Sequence, residues 1–206
     1  MKDLTVIYYT ANKENPEFEG RIRNTLLEAI GDLPLISVSQ KPIDFGKNIC
    51  VGDIGASPQN VLLQIKAGAT EATTRFVTMG EADILYPKCY FEFVPERDDT
   101  FYYADQVYLI WVGHNTFWYK RRAELSSIVN REHLINTINK LLGIDEYHIS
   151  KNVPKLTRQS TFHIDIPIVD IKTKNGLHWR SPHSKGNFKQ ELPYWGTGKD
   201  IWEKYL

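Results

Sequence analysis

Three short apolar runs alternate with two amphipathic segments over the first 80 residues. The apolar runs are rich in β-branched and aromatic side chains, which is typical of buried strands; they cover Leu4–Tyr9, Leu35–Val38 and Arg75–Met79. A strand, helix, strand, helix, strand order predicts a parallel sheet with right-handed crossovers. The fold class expected is therefore α/β, with helices flanking a mainly parallel central sheet.

Both predicted helices carry recognisable end signals. In the first, Phe18, Ile22, Leu26 and Ile30 recur at every fourth position and share one face, and Gly31 provides the stop. The second begins at Ser57-Pro58, a hydroxyl N-cap followed by proline at the first helical position. Between them, residues 39–55 form a predicted long loop, which in a compact domain is usually functional or mobile.

The pattern changes after Pro87. Shorter strands are predicted at Tyr90–Val94, Thr100–Tyr103 and Val107–Val112, followed by an amphipathic helix around Leu134–Leu142. Residues 150–206 alternate strand-like pieces with loops rich in glycine, proline and histidine, and end in a short predicted docking helix. We expect one domain over 1–206 with an irregular C-terminal extension.

Composition narrows the class of protein. The 206 residues suit one domain, and no apolar run approaches the roughly 18 residues that a membrane-spanning helix needs. The N-terminal apolar stretch is too short and too β-branched for a secretion signal. Cys50 and Cys89 are too few for a disulfide scaffold and lack zinc-site spacing. These features favour a reduced, cytoplasmic protein.

Charge is unevenly distributed although it sums to zero. Residues 1–150 hold 15 basic and 20 acidic side chains, whereas residues 151–206 hold 10 and 5. An acidic body with a basic tail is compatible with an anionic ligand at the tail, and equally with a solvated surface whose charges segregate by chance.

The sharpest local feature is an acid pair directly after the third predicted strand. Glu81 and Asp83 flank Ala82 where the strand ends, and ligands of open α/β sheets bind beyond the carboxyl ends of strands. Two carboxylates at this spacing can approach one Mg²⁺ or Mn²⁺, which also binds diphosphate oxygens. The alternative is a capped turn with solvated acids.

The stretch from Gly55 to Pro87, GASPQNVLLQIKAGATEATTRFVTMGEADILYP, resembles glycosyltransferases of the GT-A fold, family-2-like group. Further similar segments are FYYADQV, LSSIVNREHLI, VDIKTKN and LPYWG. The resemblance implies a nucleotide-binding half (1–90), an acceptor-binding half with the C-terminal loop (91–206), and a nucleotide-diphosphate sugar as donor, with a UDP-sugar favoured.

The resemblance also assigns donor-binding roles. It implies that Tyr8, Thr10 and Asn12 face the base and ribose, with core packing the alternative for Tyr8. Gln59 and Lys66, on the second helix, would contact the donor, although Lys66 could equally be solvated. Glu81 and Asp83 would hold the Mn²⁺ or Mg²⁺ ion against the diphosphate, and Asp83 matches the motif best.

The chain departs from the family's pattern at two positions. The first acid of the motif is Glu81 rather than an aspartate, and a glutamate there can ligate the ion or contact the ribose instead. Where the family often has a late histidine ligand after its VDI segment, this chain has Lys172-Thr173, so His178 or His183 would have to substitute. The same region carries Lys172, Lys174, Arg180 and Lys185. A cation near the departing diphosphate stabilises the transition state, and the guanidinium of Arg180 matches phosphate oxygens.

An inverting transfer further requires a base that accepts the proton of the attacking hydroxyl. Asp105 and Glu146 are both candidates, and the sequence does not choose between them. His114 is a further group that could line the acceptor pocket.

The sequence is compatible with several classes of acceptor. Small enzymes of the resembled group include phage-encoded proteins that glycosylate hydroxymethylated bases in DNA, whereas polysaccharide and small-molecule acceptors are equally compatible. A different class, a nucleic-acid-binding module that uses the basic C-terminal face without catalysis, is the alternative function. A sugar nucleotidyltransferase would need a glycine-rich phosphate loop, which YYTANKENP lacks.

Overall fold

The computed structural model describes residues 3–121, 126–144, 149–176 and 186–206. Within them, a large sheet and a smaller one are combined with five α-helices. The large sheet has seven strands in the order β10-β6-β9-β4-β1-β2-β3. Its strands are β1 (Leu4–Thr10), β2 (Leu35–Ser39), β3 (Lys47–Cys50), β4 (Phe76–Glu81), β6 (Thr100–Ala104), β9 (Ile128–Asn130) and β10 (Arg158–Phe162).

All strand pairs of this sheet are parallel except those that involve β9, which runs antiparallel to both β4 and β6. The carboxyl ends of β1, β2, β4 and β6 therefore lie at one edge of the sheet. This edge is where an α/β sheet receives ligands.

The smaller sheet has the order β12-β8-β7-β11-β5. It contains β5 (Ile84–Leu85), β7 (Val107–Trp111), β8 (Phe117–Lys120), β11 (Ile168–Lys172) and β12 (Phe188–Lys189), while β13 (Glu191–Leu192) and β14 (Gly196–Thr197) form a separate hairpin. Because β5 follows β4 after only two residues, the two sheets meet at the acid pair.

The helices are α1 (Pro16–Ile30), α2 (Pro58–Glu71), α3 (Arg131–Leu141), α4 (Ile149–Leu156) and α5 (Gly198–Tyr205). The predicted end signals of α1 and α2 are confirmed: Gly31 ends α1 at φ 57°, and the Ser57 side chain accepts a hydrogen bond from the Asn60 amide. None of the helices in the described part of the chain combines the length and apolar character needed to cross a bilayer.

Two apolar clusters cover the faces of the large sheet. One joins residues of β1 and β4 to α1 and the segment after Pro87, and the other joins the same strands to α2 and α3. All seven residues of β1 are buried, as expected for a central strand covered on both faces. A third cluster packs α1 and α5 against the smaller sheet.

Two sequence predictions were wrong. Residues 88–92 form a short 3₁₀ helix rather than the strand expected at Tyr90–Val94. Its aromatic side chains Tyr90 and Phe91 are buried in an aromatic cluster with Tyr86, so burial produced the strand-like pattern. The long loop 39–55 contains the edge strand β3, whose exposed and half-buried residues carry no apolar run to reveal it.

A close approach of α2 to β1 explains one helical glycine. A Cβ atom on Gly68 would overlap the side chain of Ile7, which is fully buried in β1. We expect Gly68→Ala to lower the free energy of unfolding by about 1–3 kcal/mol, measured by urea denaturation, because overpacking forces the helix away from the sheet. Gly20→Ala in α1, where no atom lies within 4 Å, should be neutral or stabilising. Equal effects of both substitutions would contradict this packing.

Candidate active site at the carboxyl edge of the sheet

Glu81 is the last residue of β4 and lies directly opposite Tyr9 of β1. Its carboxylate accepts a hydrogen bond from the Ser126 hydroxyl (3.2 Å), and that hydroxyl lies 2.5 Å from the Tyr86 hydroxyl. Burial raises the pKa of the Glu81 carboxyl, repulsion by Asp170 adds to the rise, and nearby lysines oppose it. The first acid of the pair is thus half-buried and held by a hydroxyl group.

Asp83 lies in the turn between β4 and β5. Its carbonyl accepts a hydrogen bond from the Ile171 amide (2.8 Å), which fixes this turn to β11. Among the described residues, its carboxylate has no hydrogen-bond partner. Burial raises the pKa of this carboxyl well above its usual range, with Asp170 and Glu81 adding repulsion and Lys172 opposing it. An acid held in this way favours a cation as its partner.

Behind the pair, Asp170 is fully buried in β11. Lys120 donates a hydrogen bond to one carboxylate oxygen (2.9 Å), and the Lys172 ammonium lies 2.7 Å from the other. Although burial opposes ionisation, the two lysines hold the pKa of Asp170 below its ordinary value. Strand β11 therefore places a buried ion cluster, formed by Asp170, Lys120 and Lys172, beside the acid pair.

The segment that follows β11 passes close to Asp83. A Cβ atom on Gly176 would lie 3.4 Å from an Asp83 carboxylate oxygen. The Thr173 hydroxyl donates to Glu14 (2.6 Å), which belongs to the loop after β1, and accepts from the Gly176 amide (3.2 Å). This contact joins the two loops that border the acid pair, one from each half of the chain.

Amide side chains organise the neighbouring ends of β1 and β2. Gln64 of α2 is buried and donates to the carbonyls of Thr10 (2.9 Å) and Val38 (3.1 Å). Asn12, at φ 53°, accepts from the amides of Gln40 (2.9 Å) and Lys41 (2.8 Å). These bonds satisfy backbone groups at the edge and shape the loops that would surround a nucleotide.

The nucleotide-facing residues expected from the sequence fall into different environments. Tyr8 is fully buried, donates to Glu19 (2.7 Å) and packs edge-on against Phe45, so the structure supports its alternative interpretation as a core residue. Thr10 is also buried, and its hydroxyl accepts from the Asn12 amide (2.9 Å), which gives it a local structural role. Gln59 and Lys66 are half-buried on α2; their contact with a donor stays a prediction.

Asp105 follows β6 at the same sheet edge. Thr78 of β4 and Tyr102 of β6 both lie opposite Ile128 of β9, so Glu81 and Asp105, each three residues further on, are level with one another. Two strand spacings separate them, about 10 Å. Asp105 accepts from the His163 ring (2.8 Å) and from the Ile164 amide (3.3 Å).

Several predicted site residues lie outside the described residues: Glu146, His178, Arg180, His183 and Lys185. Lys174 is exposed, and so is His114 in the loop after β7. Lys172, in contrast, was expected in a basic loop but lies buried at the end of β11. This expectation was wrong because β11 extends through Lys172, whose pairing with Trp111 of β7 keeps the residue in the smaller sheet.

Sequence reasoning missed Gln64, Lys120 and Asp170. Gln64 is a polar residue on the otherwise apolar face of α2, and Asp170 interrupts the apolar run IPIVDI. A buried polar residue requires a partner, so such interruptions are the signal that could have revealed both. The His163–Asp105 contact joins separate strands and has no local signal.

No protein-family model matches the chain, and no curated protein matches it by sequence. Several solved structures are similar to the chain in fold. S. aureus TarS 1–349 in complex with UDP-GlcNAc aligns with a TM-score of 0.54 at 12% identity, and the alignment covers 89% of this chain and 62% of that chain. The glycosyltransferase GlyE of Streptococcus pneumoniae TIGR4 aligns with a TM-score of 0.51 at 11% identity, covering 79% of this chain and 45% of that one. This chain has a GT-A-like fold.

The likeness confirms the predicted α/β class and its mainly parallel central sheet. The chain covers only 37% of the longer S. aureus TarS structure, which aligns with a TM-score of 0.52. At these identities the comparison establishes the fold, and the activity has to be argued from the site.

The unfavourable burial of the Asp83 charge should affect the stability of the protein in a pH-dependent way. Its pKa is raised in the folded chain, so the ligand-free protein loses stability as the pH rises from the unfolded pKa through the folded one. We expect Asp83→Asn to raise the Tm by about 2–4 °C near pH 8, because it removes the disfavoured charge. The difference should shrink as the pH is lowered.

Circular dichroism melts of the ligand-free protein test this expectation. Asp32→Asn, at an exposed acid in the turn after α1, is the matched control and should leave the Tm unchanged. A lower Tm for Asp83→Asn would show that the carboxylate has a stabilising partner.

Proposed function

We propose that this chain is a glycosyltransferase that moves a sugar from a nucleotide-diphosphate donor, preferably a UDP-sugar, to an acceptor hydroxyl. The observation that carries the proposal is the half-buried Asp83 carboxylate. It lies at the ligand-binding edge of a GT-A-like sheet, without a hydrogen-bond partner in the described part of the chain. The bound UDP-GlcNAc of the structurally similar TarS supports a nucleotide sugar as the class of donor.

The acids fit a divalent cation that also contacts the donor. Within the described ranges, no three His, Cys, Asp or Glu side chains are grouped to hold a metal ion by themselves. Mg²⁺ is commonly bound by one or two carboxylates together with substrate phosphates, which matches what Asp83 and Glu81 offer. Asp83 would be the main ligand, with Glu81 beside it; bound there, Mn²⁺ or Mg²⁺ would supply positive charge for the leaving diphosphate.

The rest of the chain would bind and orient the substrates. The loops tied by Asn12 and Gln64 would hold the nucleoside beyond β1 and β2. Thr173 and Glu14 would fix the border of the diphosphate site. Arg180, His178 and His183 keep their predicted roles at the leaving group and metal, and Glu146 stays a candidate base.

A donor screen tests the function directly. With UDP at about 100 times its Kd and Mn²⁺ present, mass action should stabilise the full chain by about 2.7 kcal/mol, with a smaller effect in EDTA. We expect Asp83→Asn to lose most of the Mn²⁺-dependent gain, whereas Asp32→Asn keeps it. Thermal melts with UDP, GDP, CDP and dTDP identify the nucleobase of the donor. A chain that no nucleotide stabilises, with or without metal, would contradict the proposal.

As the catalytic base that accepts the proton of the attacking hydroxyl, the geometry favours His163, oriented by Asp105. The pair lies level with Glu81 at a lateral distance that a donor sugar can span. Among the described residues, the second ring nitrogen of His163 has the exposed Asp165 as its ion-pair partner, at 3.4 Å. The hydrogen bond and charge of Asp105 raise the pKa of His163. Since a base acts in its neutral form, the transfer rate should increase as the pH rises through that pKa.

We expect His163→Gln to slow sugar release from the donor by about a hundredfold or more, with unchanged UDP affinity. Asp105→Asn should shift the acidic limb of the pH–rate profile to lower pH, because the charge that raises the pKa of His163 is gone. Released UDP measured against pH, with the best donor from the screen, gives both results. An unaltered rate in His163→Gln would leave Asp105 and Glu146 as the remaining candidates.

The acceptor remains a prediction. Of the four basic residues that suggested DNA, Arg180 and Lys185 lie outside the described residues, and Lys172 is buried. A salt-dependent gel shift with hydroxymethylated DNA distinguishes a DNA acceptor, or a nucleic-acid-binding module, from polysaccharide and small-molecule acceptors.

A further inference from the structure

Lys172 is an unusual lysine because its side chain is only 8% exposed. It ends β11, and the preceding residue, Ile171, donates its amide to the carbonyl of Asp83. The side chain therefore lies next to the acid pair rather than on the surface. Burial opposes its charge, but the attraction of Asp170 and Asp83 raises the pKa of Lys172, so the ammonium stays charged.

The hydrogen-bonding capacity of this ammonium is not used up. A lysine has three N–H donors. Among the described residues, Asp170 is its one ion-pair partner within 4 Å, at 2.7 Å. A buried ammonium with unused donors is costly unless a further acceptor is supplied. Within the described ranges, this ammonium thus has N–H donors without an acceptor, at the edge where a donor substrate would bind.

Lys120 provides Asp170 with a second cationic partner. It donates to the other oxygen of Asp170, so this buried carboxylate keeps a cationic partner when Lys172 turns towards a ligand. Asp170 thereby acts as an anchor that aligns Lys172 rather than as a group that neutralises it completely. Lys174, two residues later, is exposed and forms no ion pair with another residue that the structure describes.

We propose that Lys172 contacts the diphosphate of the donor and is the protein's own cation at that site. The inference rests on the proposed function and names a residue that recognises this part of the substrate. Diphosphate oxygens are strong acceptors that fit two unused N–H donors. The contact adds to the charge that a metal ion on Asp83 supplies, and it persists when the metal is removed.

Calorimetric titration of the full chain with UDP, pyrophosphate and uridine tests the contact. In EDTA, we expect Lys172→Met to weaken UDP and pyrophosphate binding ten- to hundredfold, since hydrogen bonds to charged groups have that worth. Uridine binding should not change, because uridine lacks the diphosphate. Lys155→Met, at an exposed lysine of α4, is the matched control and should bind all three as the wild type does.

Removing a buried charge could also affect folding, so Lys172→Gln provides a second variant whose amide can still donate to Asp170. It should fold and show the same selective loss, and Lys172→Arg should retain most of the affinity. Unchanged UDP affinity in Lys172→Gln, or an equal loss of uridine binding, would overturn the inference. A wild-type chain that binds UDP only with Mn²⁺ would overturn it as well. Failure to bind UDP in any buffer would instead overturn the proposed function.

Discussion

The buried carboxylate of Asp170 is the group on which the geometry of the candidate site depends. A charge without solvent is costly by several kcal/mol unless it is paired, and here Lys120 and Lys172 reach it from two neighbouring parts of the smaller sheet. Because β11 also carries the Ile171 contact to Asp83, one strand joins the ion cluster to the acid pair. Glu81 ends a strand of the large sheet, and the smaller sheet supplies Lys120 and Lys172.

The second constraint is the parallel order of β1, β2 and β4, which leaves their last carbonyls and amides without strand partners at one edge. Gln64 and Asn12 satisfy several of these groups, so the edge is polar and ordered rather than frayed. Gln64 and Asn12 thus satisfy backbone groups of the sheet and also shape the loops that would hold a nucleoside. The same overlap is seen at Thr10, which has a local structural role at a position expected to face the ligand.

Much of the central fold followed from local patterns. The strands around Leu4 and Leu35, the apolar face of α1 and the Ser57 cap of α2 were predictable because apolar spacing and capping residues act within a few positions. The 3₁₀ segment at Tyr90 was not, because aromatic residues in a tight turn give the same apolar run as a buried strand. The edge strand β3 was not predictable either. It pairs with β2 on one side only, and its residues are exposed or half-buried, so it carries no apolar run.

The sequence by itself determined the order of β1, α1, β2, α2 and β4, the position of the acid pair after β4, the stop of α1 and the start of α2. Only the tertiary structure decided that Lys172 is buried against Asp170, that Tyr8 belongs to the core, and that His163 meets Asp105. The reason is physical: helix and strand periodicity depends on neighbours along the chain, whereas burial and ion pairing depend on which strands come together. His163 and Asp105 are 58 positions apart in the chain. The Ile171 amide and the Asp83 carbonyl that it contacts are 88 positions apart, and no local spacing encodes either contact.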